Sequence, residues 1–192
     1  MGTMIHAANL PESDYDGKLG CSEILNLTRP EVIQGIHEAY YRAGSDVVET
    51  NSFGSSRIVL EDYGIADQAR SLSRTAAQIA RRETGKRLPV IVTVTVETTG
   101  TLLVGSTIET VVAALEPYGL FALGMNCATG PSDMVPQVAR LASVWGGRLM
   151  IQPNAGLPQN VNGELKYNLP VADFVGVMES FVREHGVTID GG

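Results

Sequence analysis

Cys127 follows the apolar run Leu120-Phe121-Ala122-Leu123-Gly124-Met125 and then Asn126, which puts a thiol at the C-terminal tip of an expected β-strand. A thiolate is both a nucleophile and a soft metal ligand. A second strand-like run, Arg148-Leu149-Met150-Ile151-Gln152, ends in Pro153-Asn154-Ala155-Gly156, and a third, Val187-Thr188-Ile189-Asp190, ends in Gly191-Gly192. In β/α barrels the working residues stand at such tips, so the three tips together read as a metal and substrate site. Blander readings stand beside this one. Free cysteine is among the most buried residue types, and an asparagine between Pro153 and Ala155-Gly156 also suits a turn.

Strict alternation of strand and helix would position these tips. The first 27 residues, with Pro11, Gly17 and Gly20, read as a loop. Thr28-Arg29-Pro30-Glu31 has the form of a capping box with proline in the first turn. It predicts a helix whose Val32, Ile33, Ile36 and Tyr40 recur at helical spacing and which Gly44 closes. Asp46-Val47-Val48-Glu49 reads as a short strand with Thr50-Asn51-Ser52-Phe53-Gly54 as its tip. There Glu49 and Asn51 could line a pocket, or Asn51 could serve a turn or cap. A helix is expected from Ile65 to Glu83, then a buried, β-branched strand from Val90 to Val96. The loop Gly100 to Gly105 lacks the Gly-Lys-Ser/Thr ending of a phosphate loop and reads as pocket-lining. Ser106 to Glu109 forms a second capping box for a helix ending near Pro117. A helix over 132–145 separates the Cys127 and Arg148 strands. A polar loop, Leu157 to Asn168, leads to a last helix with Phe174, Val177, Met178, Phe181 and Val182 in one stripe. Five strands alternating with helices imply a parallel sheet with right-handed crossovers, open or closed into a barrel. No linker divides residues 1–192, so one domain is expected.

Composition narrows the function classes. The chain has 192 residues, enough for a sizeable core, and a formal net charge of −7. That charge argues against nucleic acid or an anionic membrane as partner. Two cysteines make no disulfide framework, which fits a reducing cytoplasm better than secretion. The N-terminus has no signal-peptide pattern, and no apolar run approaches the roughly 20 residues of a membrane span.

Several segments occur together in one order: Met1-Gly2-Thr3-Met4, Asn26-Leu27-Thr28-Arg29-Pro30-Glu31, Ala43-Gly44-Ser45-Asp46 through Glu49-Thr50-Asn51-Ser52-Phe53, Gly124-Met125-Asn126-Cys127-Ala128-Thr129-Gly130-Pro131, Gln152-Pro153-Asn154-Ala155-Gly156 and Asp190-Gly191-Gly192. In these the chain resembles the homocysteine-binding domain of cobalamin-dependent methionine synthases and the related homocysteine S-methyltransferases. The resemblance implies a (β/α)8 TIM barrel, here incomplete with about five parallel strands. It implies zinc held by Cys127 and by a Cys-Cys pair after Gly-Gly, with Asn154 in the fourth position until the homocysteine sulfur replaces it. Gly2, Thr3, Glu49, Asn51 and Asn126 would bind substrate. Zinc deprotonates a coordinating thiol, and the thiolate would attack methylcobalamin carried on another module. The implied partners are homocysteine and the cobalamin-binding and folate-binding modules of the same or another chain.

Against the family's pattern, the chain starts inside the first-strand motif and stops one residue before the paired cysteines. It also passes through Gly85-Lys86-Arg87-Leu88-Pro89 straight into the family's fifth strand. The third and fourth strands, with a substrate-binding acid, have no counterpart, and a full barrel takes roughly 250 residues. An amide oxygen is a poor zinc ligand, so Cys127 with Asn154 is expected to bind zinc weakly or not at all. A rival of another class is a non-catalytic remnant acting through self-association or a partner chain, because missing strands leave open sheet edges. A third reading is an open sheet with an unrelated ligand at its switch point.

Overall fold

The computed structural model describes residues 1–82, 88–103, 105–161 and 163–191. The expected helix end at Glu83, the Gly85-Lys86-Arg87 junction, Val104 of the Gly100 loop, Asn162 and Gly192 lie outside the described residues. The chain divides into two compact units, Met1–Leu88 and Pro89–Gly192.

The N-terminal unit is helical. It contains α1 (Gly2–Ala7), α2 (Leu25–Thr28), α3 (Pro30–Arg42), α4 (Arg57–Glu61) and α5 (Ala69–Arg82), with 3₁₀ turns at Glu12–Tyr15, Ser22–Ile24 and Ala66–Gln68. The stretch expected to be a loop is therefore ordered. Its apolar residues are sparse but used: Ile5 and Leu25 pack with Ile33, Ile36 and Ile79, while Cys21 and Ile24 pack with Leu60, Ile65 and Leu72. The capping box at Thr28 does not form. Thr28 instead closes α2, its hydroxyl donating to the Ile24 carbonyl at 3.3 Å, and Glu31 pairs with Arg29. Pro30 at the first position of α3 presets φ and has no N–H to cap.

The strand expected at Asp46–Glu49 is also overturned. This stretch makes no sheet pairing among the described residues, and Val47 is 62% exposed. A strand needs a neighbour for its backbone groups, and this unit presents none among the described residues. One of those groups is met otherwise, by His37 Nε2 at 3.0 Å from the Glu49 carbonyl.

The C-terminal unit is the β/α half. Its order is β1 (Ile91–Val94), α6 (Ile108–Leu115), β2 (Ala122–Cys127), α7 (Pro131–Val144), β3 (Arg148–Pro153), β4 (Gln159–Val161), β5 (Glu164–Lys166), α8 (Val171–His185) and β6 (Val187–Asp190). Strands pair in parallel in the order β1-β2-β3-β6. The parallel sheet thus has four strands among the described residues, not five. The expected polar loop contains the antiparallel hairpin β4–β5, turned at Gly163 with φ +88°. β1 is half-buried rather than buried, because it is an edge strand.

Alternation along the strands builds the core. Leu123 and Met125 of β2 lie beside Leu149 and Ile151 of β3. These four pack with Ile108 and Val112 of α6, Met134, Val138 and Leu141 of α7, and Met178 and Phe181 of α8. The stripe on α8 is narrower than its sequence suggests, with Val182 45% exposed. Opposite Met150, position 124 admits nothing larger than glycine, since a Cβ there would overlap the Met150 carbonyl oxygen. The N-cap of α6 is Thr107, one residue later than expected, its hydroxyl accepting from Thr110 N at 3.4 Å. In the same turn Glu109 accepts from its own backbone N–H, from the Thr107 hydroxyl and from Arg140. Together these pull its carboxyl down to about 2.

Gly124→Ala should destabilise the chain by more than about 4 kcal/mol in denaturant titration, the range reserved for core disruption. Gly146→Ala, where a Cβ meets nothing within 4 Å, serves as the near-neutral control. For Glu109 the folded-state value is depressed, so its contribution is present above the ordinary carboxyl value of 4.5 and is lost as pH falls towards about 2. The melting temperature of Glu109→Gln should therefore lie below that of the unsubstituted chain at pH 6 and converge with it near pH 2.

Candidate functional site

The candidate residues fall into two groups, one in each unit, and each group has its own geometry. In the C-terminal unit β2 and β3 end level, with Cys127 opposite Pro153. The chain then turns sharply. Cys127 and Ala128 both adopt φ +59°, a left-handed conformation costing on the order of 1–3 kcal/mol for a residue with a Cβ. Thr129 N donates to the Cys127 carbonyl at 2.8 Å, and Asn154 N donates to the Thr129 carbonyl at 3.0 Å. The second bond staples the tip of β3 to the tip of β2. Gly130 and Gly156 close the contact, since a Cβ on Gly130 would stand 3.2 Å from Gly156 Cα.

Cys127 is half-buried, and Asn126 Nδ2 donates to its sulfur at 3.1 Å. This amide contact gives the thiol a fixed direction. Asn154 joins the group through its backbone N–H, while the residue itself is exposed. The structure thus brings Asn126, Cys127 and the Asn154 backbone together. Thr129, whose carbonyl links the tips, was not singled out in the sequence, because a backbone acceptor leaves no residue-type signal. Among the described residues no group of three or more His, Cys, Asp or Glu is placed to hold a metal ion. One thiol and one amide fall short of the tetrahedral zinc set, so the described residues do not fit zinc on their own.

In the N-terminal unit a cleft of about 360 Å³ is lined by Gly2, Glu23, Glu49, Asn51, Phe53 and Tyr63 among others. The Glu49 carboxylate is largely exposed and lies 3.4 Å from the ammonium of Met1. Asn51 is 4% exposed and works as an internal clip. Its Nδ2 donates to the Ser22 carbonyl at 2.7 Å and to Asn26 Oδ1 at 3.2 Å, while Asn26 Nδ2 donates to the Asn51 carbonyl at 2.7 Å. Thr3 is exposed on α1 and is not among the residues lining the cleft. Sequence reasoning missed Glu23, which is buried, lines the cleft and accepts from Gly54 N at 2.6 Å. Cys21 lies against it, Sγ to Glu23 Oε2 3.8 Å. Burial pushes the Cys21 thiol up, and the Glu23 charge acts in the same direction.

A second hollow of about 510 Å³ lies beside α8 and the end of β6, walled by Phe174, Val175, Met178 and Val182. No helix among the described residues is long and apolar enough to cross a membrane.

With this geometry in hand, comparison with known proteins is informative. The family model for homocysteine S-methyltransferases matches in two stretches, residues 1–87 and 82–192. Over 269 aligned positions the chain is 32% identical to methionine synthase of Mycobacterium leprae (strain TN), with all of this chain and 22% of the relative covered. It is 31% identical to methionine synthase of Mycobacterium tuberculosis (strain ATCC 25618 / H37Rv), with 23% of that relative covered. The chain thus spans less than a quarter of the length of these curated relatives. The crystal structure of the homocysteine methyltransferase MmuM from Escherichia coli, metallated form, superposes with a TM-score of 0.55 at 16% identity, covering all of this chain and 88% of that one. Its oxidized form gives 0.53 at 17%. At these identities the structures establish the shared α/β fold, a parallel sheet with flanking helices.

Alkylation of the native chain with iodoacetamide at pH 8 should label Cys127 rapidly and Cys21 only after denaturation, as read by peptide mass mapping. Equal labelling of both thiols would contradict the burial and the raised Cys21 value described above.

Proposed function

That the chain belongs to the homocysteine S-methyltransferase family is the premise from which we propose its work: it is a homocysteine-binding methyltransferase domain of the methionine synthase type. The observation that carries this reading is the stapled pair of strand tips, which presents the Cys127 thiol in a fixed direction beside the Asn154 loop. In the reaction the homocysteine sulfur loses its proton and bonds to a methyl group as the donor–methyl bond breaks, the bonding pair staying with the donor, to give methionine and the demethylated donor.

Most of the candidate residues take a role in this proposal. Were zinc bound, Cys127 would be a thiolate ligand and Asn154 a candidate for the fourth position, and Asn126 holds the Cys127 sulfur in line. Gly2 and Glu49, which line the cleft of the N-terminal unit, serve the charged ends of the amino acid, while Thr3, outside that lining, is left without a role. Asn51 shapes the wall of the cleft, because its amide nitrogen is engaged by Ser22 and Asn26. Zinc, when fully liganded, supplies a deprotonated substrate sulfur. The described residues hold too few ligands for it, and no step is assigned to the metal. Methylcobalamin as donor, with cobalamin-binding and folate-binding modules as partners, extends the likeness to methionine synthases. So does a reducing cytoplasm as the place of work. The reading of residues 1–192 as one domain, a shortened (β/α)8 barrel, is supported by the two-stretch family match. It is supported too by an alignment of 269 positions against 192 residues in the chain.

The rival reading, a non-catalytic remnant that self-associates, draws on one observation. Val171, Val175 and Val182 of α8 are exposed apolar residues beside the edge strand β6.

Cobalt(II) as a zinc probe tests the assignment of Cys127. Weak binding is expected, with a sulfur-to-metal absorption band of a single thiolate that Cys127→Ser abolishes and Cys21→Ser leaves intact. A band that persists in Cys127→Ser, or tight stoichiometric binding through several sulfurs, would overturn it. Calorimetric titration with L-homocysteine should give a saturable one-to-one isotherm, and no saturable binding at millimolar concentration would contradict the proposed function.

A further inference from the structure

The outer apolar layer of the C-terminal unit runs out at both edges of its sheet. β1 and β6 are the outermost strands, and among the described residues neither has a second strand beside it. Helices α6, α7 and α8 all pack on the face that carries Leu123, Met125, Leu149 and Ile151. At the β1 edge this layer ends in Val92 and Val94, which are only half-buried. Leu103, in the loop that follows β1, is 77% exposed. At the β6 edge the layer ends in the hollow of about 510 Å³, walled by Phe174, Val175, Met178 and Val182 of α8 and by Asp190 at the tip of β6. One edge thus projects apolar side chains and the other offers a place for them. Each unpaired edge also leaves a row of backbone donors and acceptors that a further strand can satisfy.

We propose that each edge is covered by the opposite edge of a second copy of this chain. β6 of one protomer pairs in parallel with β1 of its partner, and the return contact closes a two-fold ring. The strand count favours this occupant. Four parallel strands in each copy make eight in two, the number at which a parallel β/α sheet closes with its helices outside. Four strands span half of such a barrel, so the contact rotates by a half-turn, and a head-to-tail contact with that rotation closes after two copies. The axis runs along the barrel, so all eight strands point one way. Any other partner would need both a parallel edge strand and an apolar layer outside it, and this chain carries both. Val92, Val94 and Leu103 of one copy then meet the flank of α8 in the other, which makes the apolar layer continuous. Parallel strands carry their tips to the same end, so the two Cys127 tips stand on opposite sides of one mouth, each with its own staple to Asn154. The inference needs only the sheet and its edges, not the methyl transfer proposed above.

Sedimentation equilibrium of the chain from about 1 to about 100 µM should show monomer passing to dimer and no larger species. Leu103→Asp and Val175→Asp, both at exposed positions, should each weaken the dimer at least about tenfold, as the loss of an apolar anchor does. Val135→Asp, exposed on the central helix α7, adds the same charge away from both edges and should leave the dimer unchanged. An equimolar mixture of Leu103→Asp and Val175→Asp should recover dimer, because one of the two contacts in a mixed ring carries neither substitution. Monomer at every concentration would overturn the inference, and so would growth beyond the dimer, which marks an open filament. A mixture no tighter than the single variants, both folded by circular dichroism, would overturn it as well. Should Val175→Asp fail to fold, a dimer indifferent to Leu103→Asp still overturns it.

Discussion

The close apposition of β2 and β3 is the constraint on which the C-terminal unit depends. Gly124 lies so near the Met150 backbone that no side chain fits between them, and the register this permits runs unbroken to Cys127 opposite Pro153. The same register sets Leu123 and Met125 beside Leu149 and Ile151 to receive three helices. Each such buried side chain contributes about 1.5–3 kcal/mol. Packing therefore holds the strands level, and level strands bring Asn154 N within reach of the Thr129 carbonyl. The left-handed backbone at Cys127 and Ala128 is strain of the kind that persists when its surroundings over-determine it.

The N-terminal unit solves a different problem. Its described residues form no sheet, and its two small apolar clusters leave polar groups to organise the segment around residue 51. The clip between Ser22, Asn26 and Asn51 ties that segment to the turn before α2, and Glu23 ties Gly54 to the same turn. Buried polar groups are costly unless paired, and Glu23 is the member whose pairing is least complete.

Much of the C-terminal unit was legible in the sequence. β2, β3, β6, α7 and α8 carry continuous apolar runs or 3.6-residue periodicity long enough to be distinctive. The strand at Asp46–Glu49 misled because its pattern describes a strand but cannot supply the neighbour that makes one. Helices α1, α2 and α4 are too short for periodicity to register, and helices of that length depend on tertiary packing. The hairpin β4–β5 hid in polar residues, which signal turns as readily as edge strands. At the site, Cys127 was legible from residue type and position. Glu23 was not, because its place lies in a long-range bond to Gly54, which a linear pattern does not record.

The proposed function, holding an amino-acid thiol for methylation, draws on family membership and on the stapled strand tips. The most direct test is transfer of an isotopically labelled methyl group from methylcobalamin to L-homocysteine. It should be run on the protein purified as its cells make it, with Cys127→Ser alongside. The account predicts labelled methionine from the unsubstituted protein and its loss in Cys127→Ser. Labelled methionine formed equally by both, or by neither, would contradict it.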